Sequence, residues 1–524
     1  FILFSIFSFA GSLSAGSFIV SNSNNACEGS LREALNSASK MSEANAIYIN
    51  APGVIKISST LTYASDSPLL IFGKNQTIHA NGNFTILEVT NGADLSVDHL
   101  KFRGPEKFSI FNRGDVNGPA GKGIFLKVRG DQTGTVNLVM HGVRVSDVAG
   151  HGVHIMDCTL ADTSGKMKCG EGYGGAGEGS PASISVSVDA SNIINVGMGG
   201  YDSDGLRVDE RGAGSINASI SGSQFIGSGA DGVELDEGQE GSVMLYTNNS
   251  KYNNNGKYCD PNVMKPFVPS EDEGEFEDNQ KKASDIAPNM AMNITKKGKY
   301  NGAINTGSPD DGCLETEVKF HDSGFVEEFE IAIDTDDGVD IDEAGPGDIY
   351  GQIVNSEVNG NFDEGFDIDE AGSGGIFMTI NNTVANNNSD DGFKHSEEDE
   401  GSVAGQVESS TAKDNGGKGF VFEEEGEGNV LIIASKAFTS NNDDSDNTGM
   451  ELVQEDEGVG TAHVFNSTVI DGFDLEGVNS FKELSGIFSI SIYDLKLKKI
   501  YLVRDIVGVK PLYYHYDFNS KKFI

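Results

Sequence analysis

Two columns of acidic residues recur along this chain and could bind metal ions. Hard cations such as Ca²⁺ take about six to eight oxygen ligands, and carboxylates are prominent among them. Where the members of a column follow one another without interruption, the interval is 27 residues. The first column consists of Asp209, Asp236, Asp342, Asp369 and Glu423, and the second consists of Glu210, Glu237, Glu343 and Glu370, continued by Glu397 and Glu424.

Stacking of these columns would place like charges on neighbouring strands, which is destabilising. A bound hard cation would offset the repulsion, as would interleaved bases or protonation. Bases are scarce near the columns, Arg211 and Lys394 being the nearest. The sequence therefore predicts Ca²⁺ binding along this edge. The alternative is a solvated acidic face that keeps an exported protein soluble.

The acidic columns belong to a longer repeat that predicts the fold. Each copy begins at a glycine followed by alternating apolar and charged residues, as in Val339, Asp340 and Ile341. This alternation of period two is typical of β-strands with one face in a core. The anchor glycines are Gly205, Gly232, Gly338, Gly365, Gly392, Gly419 and Gly449. Hydroxyl side chains recur after the anchors and asparagines before them: Ser223, Ser250, Ser356, Thr383, Ser410, Asn361, Asn388 and Asn415.

A residue type that recurs once per coil indicates that equivalent side chains stack on adjacent turns of a solenoid. The repeat therefore predicts an all-β, right-handed parallel β-helix over residues 46–478, with coils of 27 residues. The irregular, proline-containing residues 257–300 predict a loop excursion, or degenerate coils, between Gly232 and Gly338. Asp310-Asp311-Gly312 is interpreted as one further anchor before Gly338.

The composition fits many short strands and tight turns, with 67 Gly, no Trp and abundant Asn, Ser and Asp. The formal net charge is −43. This charge argues against nucleic acid and anionic membrane surfaces as partners, since both would be repelled. Beyond the N-terminus, no stretch is apolar enough to be a transmembrane segment.

The N-terminal residues predict export. Residues 1–16 are apolar and then small, as in the remnant of a signal peptide that lacks its start. Residues 26–45 predict a cap for the first coil, since Ser30 and Glu33 form a capping box for a short helix carrying Leu31, Ala34 and Leu35. The run ACEGSLREALN resembles the C-SLREA motif of bacterial exported right-handed β-helix proteins, which implies the fold and says little about activity. In an exported protein Cys158 and Cys169 are a disulfide candidate.

Catalytic motifs of β-helix enzymes are matched only in part. Gly150-His151-Gly152 resembles the GHG of polygalacturonases, and Asp310-Asp311 resembles their paired acids. In that family the acids precede GHG, and an RIK motif follows that is missing here. No Arg motif of pectate lyases is found either. No catalytic residue is therefore predicted, and His151 is interpreted as a turn residue.

The β-helix is predicted to be a non-catalytic protein of the secreted or cell-surface type that binds a glycan or a cell-surface ligand, by analogy with other proteins of this fold. A polysaccharide lyase or hydrolase is the alternative that the partial motifs leave open. Apart from Ca²⁺, the sequence predicts no cofactor.

The composition changes at about residue 479. Residues 481–524 hold eight Lys or Arg against four Asp or Glu, and two apolar runs, at 487–494 and 499–505, predict a β-hairpin. The segment 479–524 resembles part of the class II glutamine amidotransferase domain of glutamine-hydrolysing asparagine synthetase. The motif that carries the resemblance is Arg504, Asp505, Gly508, Lys510 and Pro511, followed by Leu512, Tyr513 and Tyr514.

That resemblance implies a cytoplasmic enzyme of asparagine biosynthesis, in conflict with an exported β-helix. The family's N-terminal Cys nucleophile, its glutamine-binding Arg and its oxyanion donors are not found in this stretch, so the matching motif is not catalytic. An asparagine synthase function is therefore an alternative on the resemblance alone. Either two reading frames are joined near residue 479, or the hairpin is a native cap on the last coil.

Overall fold

The structure is a computed structural model, and it describes residues 16–109, 120–157, 179–264, 272–282, 313, 315–321, 323–333, 335–442, 448–455, 458–475, 489–494, 499–504, 516–517 and 522–523. The helices within these ranges are α1 (Leu31–Ala38), α2 (Pro261–Met264) and a 3₁₀ turn at Lys257–Cys259. All other regular elements are strands.

Two large sheets form the solenoid. Sheet B contains β4 (Leu61–Tyr63), β6 (Leu87–Val89), β8 (Ile124–Lys127), β11 (Val153–Met156), β14 (Leu206–Glu210), β17 (Val233–Glu237), β23 (Val339–Glu343), β26 (Phe366–Glu370), β29 (Ser396–Glu397), β32 (Phe420–Glu424), β35 (Met450–Gln454) and β38 (Phe473–Leu475). Sheet A contains β1 (Gly16–Val20), β2 (Asn45–Ile49), β3 (Val54–Ile57), β5 (Leu69–Ala80), β7 (Leu95–Arg103), β9 (Gly134–His141), β10 (Arg144–Ser146), β12 (Ala182–Asp189), β13 (Asn192–Ile194), β15 (Ile216–Ser221), β16 (Gln224–Ile226), β18 (Val243–Asn248), β19 (Lys251–Asn253), β24 (Ile349–Val354), β25 (Glu357–Asn359), β27 (Ile376–Asn381), β28 (Val384–Asn386), β30 (Ser402–Glu408), β31 (Thr411–Lys413), β33 (Asn429–Ser435), β34 (Phe438–Ser440), β36 (Val459–Phe465) and β37 (Thr468–Val469).

Three smaller sheets complete the described strands. They consist of β20 (Asp272–Glu275) with β21 (Glu315–Phe320) and β22 (Val326–Ala332), of β39 (Ser489–Asp494) with β40 (Lys499–Arg504), and of β41 (Tyr516–Asp517) with β42 (Lys522–Phe523).

The register confirms the predicted parallel β-helix. In β23 and β26, Asp342 lies directly opposite Asp369, and the pairing is parallel. Each central coil supplies one strand to sheet B and two to sheet A, as β23, β24 and β25 do. The apolar residues of the alternating pattern, such as Ile341 and Ile368, are fully buried in one continuous core. The interval of 27 residues therefore is the length of one coil.

Polar ladders line the bends between strands, as the recurring Asn and hydroxyl columns predict. Asn361 Nδ2 donates to Asn388 Oδ1 at 3.0 Å, and Asn388 Nδ2 donates to Asn415 Oδ1 at 3.2 Å. The bend between β24 and β25 has a positive φ of 51° at Asn355, and the next coil has 48° at Asn382. Asn tolerates this left-handed conformation better than most residues, which explains part of the asparagine content.

The N-terminal cap forms largely as predicted. Ser30 caps α1 by accepting a hydrogen bond from the Glu33 backbone N–H, and Leu31 and Leu35 are buried. The Glu33 carboxylate accepts from Ser37 instead of from the Ser30 N–H, so the capping box is half formed. Strand β1 pairs with β2, which places residues 16–20 in the solenoid as well. The rest of the predicted signal segment lies outside the described residues.

The long interval between Gly232 and Gly338 is an excursion from the solenoid. Strand β17 pairs directly with β23, so Val233 lies opposite Val339. No rung is left between them for a coil anchored at Gly312. That interpretation is therefore wrong, although residues 310–312 themselves lie outside the described residues. The antiparallel sheet β20–β22–β21 belongs to the excursion and reaches Ala332.

A disulfide joins Cys259, near the start of the excursion, to Cys313, which lies just before β21 within it. This pairing was not predicted from the sequence. The disulfide candidate Cys158–Cys169 lies outside the described residues and stays a prediction. Cys27 is a free, exposed thiol.

Candidate metal centre on sheet B

Sheet B directs side chains outward at the second and fourth positions after each anchor glycine. Strands β17, β23 and β26 carry acidic residues at these positions on three neighbouring rungs. The turns before β23 and β26 add a carboxylate directly before the anchor. We define the central acidic patch as Glu234, Asp337, Asp340, Asp342, Glu364, Asp367 and Asp369.

One part of the patch brings together three carboxylates from two rungs. Glu234 lies opposite Asp340, and Asp342 follows on the same strand. One carboxylate oxygen from each residue lies within 4.8 Å of the other two. Oxygens bound on opposite sides of Ca²⁺ at about 2.4 Å would be about 4.8 Å apart. The three side chains could therefore share one ion.

A second part of the patch meets the same distance limit with Asp337, Glu364 and Asp367. Asp337 is only 8% exposed, and its Oδ1 has no hydrogen-bond donor among the described residues. The Oδ1 atoms of Asp367 and Asp369 are also buried without such a donor. Burial of an unsatisfied carboxylate oxygen is costly, and coordination to a cation would satisfy all three atoms.

Two bases border the patch. Lys394 Nζ lies 2.9 Å from Asp367 Oδ2, 3.8 Å from Glu364 Oε1 and 3.9 Å from Asp369 Oδ2. At the other end, Arg207 Nη1 lies 2.5 Å from Glu234 Oε2. These contacts confirm the prediction that Lys394 is one of the bases nearest to the acidic columns. Two cationic groups cannot neutralise seven carboxylates, so the patch is strongly negative whenever its carboxyls are ionised.

Burial and repulsion by neighbouring carboxylates raise the pKa values of Glu234, Asp337, Asp340, Asp342, Glu364 and Asp369. Burial first, and then the neighbouring Asp367, raises the pKa of Asp342 to about 6. Burial, followed by Asp342, holds the pKa of Asp340 well above its usual range. Burial is also the main cause of raised pKa values at Glu234, Asp337, Glu364 and Asp369. Without a cation, the patch therefore retains protons at neutral pH, and a cation must displace them.

The predicted ligands Glu210, Glu237, Glu343 and Glu370 lie elsewhere, buried inside the turns that follow sheet B. Glu237 Oε1 accepts a hydrogen bond from the Gly241 N–H at 3.1 Å, and its Oε2 accepts one from the Gln239 N–H at 3.2 Å. Each Glu thus satisfies backbone donors of its own turn. We call this column the glutamate turn ladder, and its assignment as a set of calcium ligands stays a prediction.

Neighbouring carboxyls of the glutamate turn ladder also contact one another. Burial, followed by hydrogen bonds with Glu343 and Glu210, raises the pKa of Glu237 to about 10. Burial likewise raises the pKa of Glu370 to about 10 and that of Glu210 to about 8. In the register, the column ends at Gln454, opposite Glu424. A neutral amide in this column indicates that the turn needs a polar acceptor and not a negative charge.

The other predicted ligands divide between the patch and paired positions. Asp342 and Asp369 belong to the central acidic patch. Asp209 lies 2.9 Å from Arg207 Nε, and Asp236 contacts Arg211, so both have basic partners. Glu423 lies three rungs beyond Asp342, and burial raises its pKa to about 7.

A buried network of His, Asp and Arg adjoins the patch. His151 Nδ1 lies 3.2 Å from Asp204 Oδ2, and His154 Nε2 lies 2.6 Å from Asp209 Oδ2. Burial lowers the pKa of His151 to about 4 and holds that of His154 well below its usual value. The Arg207 guanidinium contacts both aspartates and is 2% exposed. His151, interpreted from the sequence as a turn residue, lies before β11 and also takes part in this buried network.

Five members of the patch were not predicted as ligands: Glu234, Asp337, Asp340, Glu364 and Asp367. Of these, Glu234, Asp340 and Asp367 occupy the charged position of the alternating pattern, two residues after an anchor glycine. A signal for the other two is present, because the residue directly before the anchor glycine is acidic at positions 204, 231, 337, 364 and 391. This recurrence places a further carboxylate at the same edge of each rung.

The C-terminal segment forms the predicted hairpin, in which β39 and β40 pair antiparallel and Ser489 lies opposite Arg504. Asp505, Gly508, Lys510 and Pro511 lie outside the described residues. Residues 463–523 match the family model of the glutamine amidotransferase domain. The match begins within β36, which still pairs with β33 in the solenoid. It covers a small part of the chain and assigns no function to the β-helix.

Solved structures similar to this chain include a bacteriophage tailspike protein and a module of a bacterial epimerase. Full-length tailspike protein 2 of Escherichia coli O157:H7 bacteriophage CAB120 has 12% identity and a TM-score of 0.33, over 76% of this chain and 40% of the tailspike. The A-module of mannuronan C-5 epimerase AlgE6 from Azotobacter vinelandii has 10% identity and a TM-score of 0.38, over 88% and 97%. The chain thus spans less than half of the tailspike's length. No curated protein sequence matches it. Neither structural likeness supports an argument about activity.

The helices that the structure describes include none with the length and apolar character needed to cross a bilayer.

Proposed function

We propose that this chain is a non-catalytic, exported β-helix that binds Ca²⁺ on its central acidic patch. The observation that carries the proposal is the buried Oδ1 of Asp337, which has no donor among the described residues and lies beside Glu364 and Asp367. The adjoining cluster of Glu234, Asp340 and Asp342 offers a second position. Oxygen-rich, flexible ligand sets of this kind suit Ca²⁺ better than softer metals.

Burial of the His–Asp–Arg network argues against the alternative of a polysaccharide lyase or hydrolase. A catalytic acid or base must reach the substrate within hydrogen-bond distance. His151 and His154 are 8% and 4% exposed, and Arg207 is surrounded by carboxylates. A polymer cannot reach these groups in this arrangement. The network instead supports the strands next to the patch.

The disulfide between Cys259 and Cys313 supports the proposed export, because disulfides persist mainly in oxidising compartments. Secretion or attachment to the cell surface would also expose the patch to millimolar calcium. Extracellular modules bind Ca²⁺ with dissociation constants of about 10⁻⁴ to 10⁻³ M. A patch that must first release protons fits this range.

Calorimetric titration of Ca²⁺ into chelator-treated protein tests the proposal. We expect binding that is tighter at pH 8 than at pH 6 and that releases protons, because Asp337, Asp340 and Glu364 hold protons in the free state. Asp342→Asn and Asp367→Asn should each weaken binding about tenfold, the loss of one charged ligand. Glu43→Gln, an exposed acid before β2, should leave it unchanged.

The same titration can reject the proposal. If millimolar Ca²⁺ gives no binding heat at either pH, the proposal is wrong and the patch is a solvated acidic face. Equal affinity in Asp342→Asn, Asp367→Asn and the wild type would place any bound calcium outside the patch.

A further inference from the structure

The outward face of sheet A differs from the rest of this acidic surface, because its two middle columns carry no charged side chain. The columns run through β9, β12, β15, β18, β24, β27, β30 and β33, which pair in continuous register. We call them the uncharged strip. Its members are Asn137, Ser185, Asn217, Met244, Tyr350, Phe377, Ala404 and Leu431 in one column, and Val139, Ser187, Ser219, Tyr246, Gln352, Thr379, Gln406 and Ile433 in the other.

Such a strip is unexpected in a chain with 80 Asp and Glu and a net charge of −43. Exposed strand positions are where charged residues normally concentrate, because they protect a sheet from association. Asp189 and Glu408 show that acidic residues are tolerated in the next column of the same strands. The absence of charge is therefore specific to these two columns.

The centre of the uncharged strip exposes aromatic and aliphatic side chains. Tyr350 and Phe377 are 45% and 38% exposed, and their rings stack with centroids 5.2 Å apart and an interplanar angle of 16°. The Tyr350 hydroxyl donates to Asp348 Oδ2 at 2.7 Å, which holds the ring in place. On the next rung, the residue opposite Phe377 is Ala404, whose side chain is a single methyl group. The ring face turned away from Tyr350 thus has no large neighbour in its column.

The second column places amides and hydroxyls beside these rings. Tyr350 and Gln352 share one strand, as do Phe377 and Thr379, and Gln406 follows on the next rung. Rungs of a β-sheet are about 4.8 Å apart, a distance comparable to the length of one sugar ring in a linear glycan. A sugar presents a C–H face that packs on aromatic rings and hydroxyls that bond to polar side chains. The rungs of β24 and β27 each offer both kinds of contact to one sugar.

We infer that the uncharged strip, centred on Tyr350 and Phe377, is a docking surface for a linear, uncharged polysaccharide. The surrounding negative field disfavours polyuronates and other anionic glycans, and it also disfavours a second copy of this chain, which carries the same −43 charge. A neutral chain is not repelled. Its binding depends on a sheet face separate from the central acidic patch and needs no metal ion.

Affinity electrophoresis in gels containing soluble β-glucan tests this inference. We expect the wild-type protein to be retarded, equally with EDTA or Ca²⁺ and at low or high salt. Tyr350→Ala and Phe377→Ala should each weaken retardation about tenfold, the effect of losing a central aromatic contact. Tyr48→Ala is the matched control, because Tyr48 is 42% exposed and stacks on Phe72 at the same 5.2 Å, but on a column that continues to Asp98.

Circular dichroism must first show that all three variants keep the wild-type melting temperature. Absence of retardation in β-glucan, mannan and α-glucan gels alike would overturn the inference, as would unchanged retardation in Tyr350→Ala and Phe377→Ala. Light scattering provides a further check. A dimer that dissociates in these two variants, without any glycan effect, would assign the strip to self-association. Loss of binding on EDTA treatment would instead link the glycan to the patch.

Discussion

In a chelating buffer, the melting temperature of this protein will fall as the pH rises from 5 to 9, and Ca²⁺ will restore much of the loss at pH 8. The glutamate turn ladder determines the direction of this change of stability with pH. Folding raises the pKa of Glu210 to about 8 and that of Glu237 and Glu370 to about 10, from an ordinary value of 4.5. The folded state therefore binds protons that the unfolded state has released, and stability decreases with pH across this interval.

Calcium acts on a different group of carboxyls. At pH 8, chelator leaves the central acidic patch without a counterion, while Ca²⁺ binds the folded state and stabilises it by mass action. We expect millimolar Ca²⁺ to raise the melting temperature on the order of 5 °C at pH 8 and much less at pH 5, where Asp340 and Asp342 hold protons. Mg²⁺, which holds its water more tightly, serves as the control. A melting temperature that rises with pH in chelator would contradict the assignment of raised pKa values.

Replacement of Glu237 separates the role of a polar acceptor from that of a charge. Glu237→Ala removes the acceptors of the buried Gly241 N–H and the half-buried Gln239 N–H, each loss costing about 1–3 kcal/mol. We therefore expect a decrease of about 3 kcal/mol or more in the free energy of unfolding. Glu237→Gln keeps an acceptor and removes a titrating group, so it should retain most of the stability and flatten its decrease with pH.

Gln454 at the end of the same column is the natural precedent for the Glu237→Gln variant. Urea titrations at pH 5, 7 and 9 measure all three forms. If Glu237→Gln is as unstable as Glu237→Ala and also loses its response to Ca²⁺, the ladder itself holds cations. The predicted ligands Glu210, Glu237, Glu343 and Glu370 would then be metal-bound in place of proton-bound.

The sequence predicted the coil and its register because a parallel solenoid converts periodicity directly into contact. Once the period of 27 residues is recognised, the stacking of Asp342 on Asp369 and of Asn361 on Asn388 follows without knowledge of the structure. The alternation of apolar and polar residues also identifies half-buried strands in the sequence. The excursion could not be predicted in this way, because its residues do not follow the repeat. The disulfide between Cys259 and Cys313 joins residues 54 apart, and no periodic pattern relates them.

The site was predicted less completely than the fold, for a physical reason. Two adjacent acidic columns look equivalent in sequence, yet Asp342 points outward whereas Glu343, the last residue of β23, is buried against the turn that follows. Only the path of the turn after sheet B reveals that the glutamates bind their own backbone. Asp337 and Glu364 were not predicted, because a residue directly before an anchor glycine has the sequence context of a turn. In the structure, the chain bends at these positions so that both carboxylates lie close to Asp367.

Anomalous diffraction from crystals soaked with a lanthanide in place of Ca²⁺ tests the central claim most directly. The account predicts peaks within bonding distance of Asp337, Glu364 and Asp367, and of Glu234, Asp340 and Asp342, at a pH above 7. Crystals of Asp342→Asn and Asp367→Asn should lose the corresponding peak. An ordered sheet B with no peak on the patch, at a lanthanide concentration that labels other sites, would contradict it.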